Sequence, residues 1–147
     1  MKTEQNFKHI SLPDSIIELE TTYKNGSRYY ETPDGKFYPS VTTVTSWGKR
    51  AFFAEWRKTH QNESKIATSR GTAFHSLVEK YLNNEETFLT EQKEDCIMLF
   101  NQVKHLLSGI SNIRAQEVPL YSNKLKMAGR VDCIANYNGK LSIIDFK

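Results

Sequence analysis

The chain has 147 residues, 38% of them hydrophobic and 25% charged, with a formal net charge of +3 at neutral pH. That excludes wholesale disorder and suits one α/β or α+β domain, and a mild basic excess permits nucleic-acid binding without requiring it. No apolar run is long enough to span a bilayer, and the first 20 residues, with Glu4, Asp14, Glu18 and Glu20, fit neither a secretory signal nor an Arg-rich transit peptide.

In chain order, residues 1–26 read as a polar N-terminal arm, and residues 27–147 as the folded core. Ser27–Glu31 and Lys36–Tyr38 flank Thr32-Pro33-Asp34-Gly35, where Pro presets φ and Gly tolerates positive φ, so a small hairpin is expected. A helical stretch starts at Pro39-Ser40 with Ser40 as N-cap, and Ala51–Thr59 reads as a second short helix. From Lys49 to Arg70, six basic residues (Lys49, Arg50, Arg57, Lys58, Lys65, Arg70) interleave with Trp47, Phe52, Phe53 and Trp56. Such a stretch can track phosphates and stack bases, or its rings can be core, the reading favoured for Phe52 and Phe53.

Phe74, Leu77, Val78, Tyr81 and Leu82 recur at helical spacing and predict a helix over 69–82, capped at Thr68 or Ser69. Arg70, beside Gly71 at that helix start, is either a phosphate contact or a solvated cap residue. After the acidic linker Glu85-Glu86, a helix over 90–109 is expected, with Thr90 as cap and Glu91 in its first turn. Its stripe is Cys96, Leu99, Phe100, Val103, Leu106, Leu107 and Ile110. Cys96 and Cys133 have no metal-ligand spacing and read as reduced core thiols, in keeping with a cytoplasmic setting.

The period then changes to two. Ile113–Tyr121 reads as a strand whose Pro119 favours an edge or a strand end. Ala128–Tyr137 and Lys140–Lys147 form a hairpin about Asn138-Gly139, a type I′ turn signal. That turn pairs Tyr137 with Lys140 and, counting outward, sets Asp132 opposite Asp145 and Arg130 opposite Lys147, with facing Cβ atoms roughly 4.5–5.5 Å apart. Val131, Cys133, Ile144 and Phe146 take the other, buried face.

Two facing carboxylates repel, and a shared divalent cation removes the penalty, because hard cations prefer carboxylate oxygens. Lys147, on the same face, is placed to stabilise a phosphoryl transition state. The other reading pairs Asp132 with Arg130, Lys147 or solvent on an exposed face. Lys124 and Lys126 lie in the loop before the hairpin, where they meet DNA if the site is a nuclease.

The runs Gly129-Arg130-Val131-Asp132 and Ile143-Ile144-Asp145-Phe146-Lys147 resemble the core of PD-(D/E)XK nucleases in their RecB-type branch. Tyr38-Pro39-Ser40-Val41-Thr42 and Arg70-Gly71-Thr72-Ala73-Phe74-His75 extend the resemblance to that branch's phage and mitochondrial genome maintenance exonucleases, over about residues 37–147. The resemblance implies a restriction-endonuclease-like fold, α/β with an α+β-like order, in which helices flank a mixed sheet. It implies Mg²⁺ or Mn²⁺ held by Asp132, Asp145, His75 and the main-chain carbonyl of Phe146. Lys147 becomes the catalytic lysine, Glu117 the acid of the first core strand, and Arg70, Lys124, Lys126 and Arg130 DNA contacts. By their own positions His75 reads equally as a boundary histidine and Glu117 as a solvent-facing strand residue. The implied activity is that of a DNA exonuclease on single strands or ends, in a bacterial or phage-infected cell. The rivals are an endonuclease, a ligand-free structural domain and a non-catalytic half that binds DNA or joins a partner chain. The family pattern continues past Lys147 with further helices and a Gln-x-x-x-Tyr element, so the sequence is expected to be a fragment or one half of a split protein.

Overall fold

The computed structural model describes residues 6–12 and 16–146. In chain order it contains β1 (Thr21–Lys24), β2 (Ser27–Glu31), β3 (Phe37–Pro39), α1 (Val41–Thr45), a 3₁₀ turn (Trp47–Lys49) and α2 (Arg50–Thr59). There follow α3 (Gln61–Leu82), α4 (Glu94–Leu107), β4 (Ile110–Ser122), β5 (Met127–Tyr137) and β6 (Lys140–Ile144). Strands and helices mix in an α+β order, and the strands form two three-stranded sheets, β1-β2-β3 and β4-β5-β6.

Two compact units emerge, one built from Met1–Leu12, Asn62–Gln116 and Asp132–Lys147, the other from Pro13–Gln61 and Glu117–Val131. The divisions within the second sheet fall inside strands, after Gln116 in β4 and after Val131 in β5.

In the first unit, the C-terminal half of α3 supplies Leu77, Val78, Tyr81 and Leu82, and α4 supplies Cys96, Phe100 and Leu107. Phe88, Ile110, Ile113, Cys133 and Ala135 complete the core. Tyr81, Phe88 and Phe100 pack as a mutual trio at 4.9–5.3 Å between centroids, and Phe7 meets Tyr81 edge-on at 5.2 Å. Each such ring contributes about 1.5–3 kcal/mol by leaving water. Residues 8–10 cover part of β4, Ile113 N–H donating to Lys8 and Ile10 N–H to Ile113. Cys96 and Cys133 are buried free thiols, as expected.

The hairpin is as the sequence predicts. Tyr137 pairs with Lys140 and Cys133 with Ile144 in antiparallel register. Asn138 at φ 48° and Gly139 at φ 82° form the turn. Gly109 makes that turn possible from beneath: a Cβ there would lie 2.6 Å from Asn138 Oδ1 and 2.9 Å from the Tyr137 ring. β6 ends at Ile144, earlier than the expected Lys147, and is an edge strand of its sheet. Leu141 and Ile143 on it are 67% and 69% exposed.

In the second unit, β1 and β2 pair antiparallel about Asn25-Gly26, with φ 52° and 75°. The end of the expected polar arm is therefore a strand, and Leu19 just before it is buried. Asn25-Gly26 is the same turn signal as Asn138-Gly139, but polar Thr21–Lys24 shows no apolar alternation to reveal a strand. Tyr30, Tyr38, Leu19 and Ala128 form this unit's core. The turn at Thr32-Pro33-Asp34-Gly35 holds as expected, with Gly35 at φ 77° and Gly35 N–H donating to Thr32. Ser40 caps α1, its hydroxyl accepting from Thr43 N–H at 3.0 Å.

Two helices differ from expectation. α3 begins at Gln61, eight residues before the expected start, because residues 61–68 favour helix but bury nothing, leaving no periodicity to read. Thr68 is thus mid-helix, its hydroxyl donating back to Ser64 O. α4 begins at Glu94, because Glu91 takes φ 63° and breaks any turn begun at Thr90. Its first turn holds Glu94 and Asp95, and Leu106 faces outward, outside the buried stripe.

Candidate metal centre

His75, Asp132, Asp145 and Phe146 converge within the first unit. α3 carries His75 at the border where the helix passes from exposed to buried, one turn before Val78 and Leu77. β5 carries Asp132 beside the fully buried Cys133, so its carboxyl is drawn to the core's edge and is only 8% exposed. The β5–β6 register brings Asp145 directly after Ile144, the partner of Cys133.

Asp132 Oδ2 accepts from Phe146 N–H at 2.7 Å, and Asp132 Oδ1 lies 3.8 Å from His75 Nδ1. The other ring nitrogen, Nε2, donates to the Phe146 carbonyl at 2.5 Å. His75 thus spans from a carboxylate to a main-chain oxygen, with the Phe146 ring edge-on at 6.4 Å. Asp132 also shares a side-chain hydrogen bond with Asp145. Burial pushes the Asp132 carboxyl above the ordinary carboxylate range, and Asp145 pushes it the same way through that hydrogen bond and its charge; the Phe146 N–H and His75 oppose the rise. A hydrogen bond between two carboxyls needs a proton, and a cation is the other way to hold the pair together.

Glu117, in β4, takes φ 50°, a left-handed conformation that costs a non-glycine residue about 1–2 kcal/mol. Within the first unit, His75, Asp132 and the Phe146 carbonyl offer an imidazole nitrogen with carboxylate and main-chain oxygens, a hard donor set that fits a divalent cation.

The remaining residues singled out in the sequence have the following surroundings. Arg70 is in the interior of α3, where main-chain amides are bonded within the helix, so it has no helix-start amides to act with. It lines a groove of about 340 Å³ with Lys65, Ser69, Gln92 and Lys93. Arg130 bonds Glu18 and the Glu117 carbonyl, both through its guanidinium. Lys124 and Lys126 are exposed in the turn before β5. Lys147 lies outside the described residues, and with it the facing pair Arg130–Lys147. Phe52 and Phe53, expected in a core, are exposed, as is Trp56 on the same helix, which buries no residue, and so is Trp47 in the 3₁₀ turn before it.

No helix among the described residues is long and apolar enough to cross a membrane. No family model matches the chain. It is similar to the human mitochondrial genome maintenance exonuclease 1, 36% identical over 80 residues, 53% of this chain and 23% of that protein. The mouse protein of the same name is 32% identical over 78 residues, with the same shares of each chain. The *Xenopus tropicalis* protein of that name is 32% identical over 122 residues, 74% of this chain and 35% of that protein. The chain thus spans about a quarter to a third of the length of these exonuclease-named relatives.

Proposed function

We propose that the chain is the metal-binding part of a DNA exonuclease of the PD-(D/E)XK superfamily, RecB-type branch, hydrolysing phosphodiester bonds of single strands or ends with Mg²⁺ or Mn²⁺. One observation carries the reading: the buried Asp132 carboxyl, which accepts from Phe146 N–H at 2.7 Å and lies 3.8 Å from His75. The names of the similar proteins supply its second support.

Asp132, Asp145 and the Phe146 carbonyl would hold the cation, with His75 and Glu117 completing the donors. When bound, the cation supplies water activation and neutralises charge on the phosphate. The Phe146 N–H fixes the Asp132 carboxylate, and His75 is held in orientation by the Phe146 carbonyl. Lys147 offsets charge growing on the scissile phosphate, and Arg70, Lys124, Lys126 and Arg130 contact the DNA backbone.

End-labelled single-stranded DNA, incubated with the chain and Mg²⁺ or Mn²⁺, tests this. Stepwise shortening, abolished by EDTA and absent on closed circles, is the expected result; metal-independent shortening sinks it.

A further inference from the structure

We propose that the second unit carries a binding groove for single-stranded DNA, sharing no lining residue with the proposed metal ligands, in which arginines hold phosphates and exposed rings stack bases. The inference rests on the exonuclease reading for its substrate. A groove of about 470 Å³ is lined by Tyr23, Arg28, Trp47, Arg50, Phe53 and Arg57, among hydroxyl-bearing residues of β2, α1 and their flanks.

Its chemistry is one-sided. Three arginines line it and no acidic residue does. Among the described residues, none of the three has an ion-pair partner. Two are braced by aromatic rings: the Arg28 guanidinium lies 5.7 Å from the Tyr23 ring centre, and that of Arg50 5.1 Å from the Trp47 ring centre. The β1–β2 register sets Tyr23 directly opposite Arg28, whose Nε donates to the Tyr23 hydroxyl at 3.1 Å. Arg50 also donates to the Asn25 carbonyl, which ties the 3₁₀ turn and α2 to the β1–β2 turn. Planar guanidinium groups held in place match phosphate oxygens in a forked geometry and lose little freedom on binding.

The rings decide between a strand and a duplex. Tyr23 and Trp47 are 66% and 59% exposed even with the arginines beside them, so ring surface remains for a base to stack on. Stacking needs bases free of a partner strand, and rings alternating with cations suit successive nucleotides. A generic acidic partner explains the arginines and leaves the rings unused.

Fluorescence anisotropy in EDTA, with the full chain and a labelled oligothymidylate of about 12 nucleotides, tests the groove. Trp47→Ala and Arg50→Gln each weaken binding about tenfold, Trp47→Phe restores most of it, and the duplex binds more weakly than the strand. Emission of the Trp56→Phe variant, which keeps Trp47, is quenched on binding, and that of Trp47→Phe is not; this readout requires no destabilising change. Affinity unchanged in all groove variants overturns the proposal, and so does loss confined to arginine variants with rings indifferent, which marks a mere polyanion surface. A chain that binds through the groove but never cleaves refutes the exonuclease reading alone; one that cleaves while groove variants bind normally refutes the groove alone.

Discussion

At the residue scale, the behaviour of Asp132 with pH follows from its surroundings. Its carboxyl is raised above the ordinary range chiefly by burial and then by Asp145. Without metal, the folded state therefore holds a proton that the unfolded chain has released. The associated stability is present below the ordinary carboxylate range and lost as pH rises through the raised value. Asp132→Asn, which cannot ionise and still accepts from Phe146 N–H, is expected to stabilise the metal-free protein at neutral pH by up to about 1 kcal/mol. The same change should lower metal-dependent cleavage at least a hundredfold; chemical denaturation in EDTA and a cleavage assay read the two effects. Cys133 is a second reporter. Burial, aided by the Asp132 charge, pushes its thiol up to about 11. Stability from the protonated thiol is full below the ordinary thiol range and is lost as pH rises through about 11. A thiol reagent at pH 8 should thus react with Cys133 slowly in the native protein and fast in denaturant.

At the element scale, the β5–β6 hairpin fixes the acids' spacing through its turn. A Cβ at Gly139 meets nothing within 4 Å, so Gly139→Ala tests backbone strain alone at φ 82°. It is expected to cost about 1–2 kcal/mol, measured by urea unfolding, and to weaken metal affinity as the register loosens. This hairpin was the most legible part of the chain, because an Asn-Gly turn and period-two alternation point to one register. What escaped reading had no periodic signal: Thr21–Lys24 is exposed throughout, and the first turns of α3 bury nothing. The wrong assignment of Phe52 and Phe53 has a related cause. Apolar residues on a short helix are usually core, and only tertiary packing reveals that α2 leaves them in solvent.

At the scale of the whole molecule, the chain folds as two compact units, each with its own small core. Sequence period could not show this division, since two breaks lie inside β4 and β5. Metal binding should stabilise the fold by mass action. With Mn²⁺ about a hundredfold above its dissociation constant, the melting temperature should rise by roughly 5–10 °C for a chain of this size. Scanning calorimetry with Asp132→Asn as control reads this; an equal rise in both proteins removes Asp132 from the ligands.

β6 has a practical consequence. A ladder edge carrying Leu141 and Ile143 in water is adhesive, since its main-chain donors and acceptors invite another strand and its side chains reward the encounter. Concentrated preparations should scatter light increasingly with time. Ile143→Lys, which plants a charge on that edge without touching the buried face, should keep them clear while leaving metal affinity unaltered.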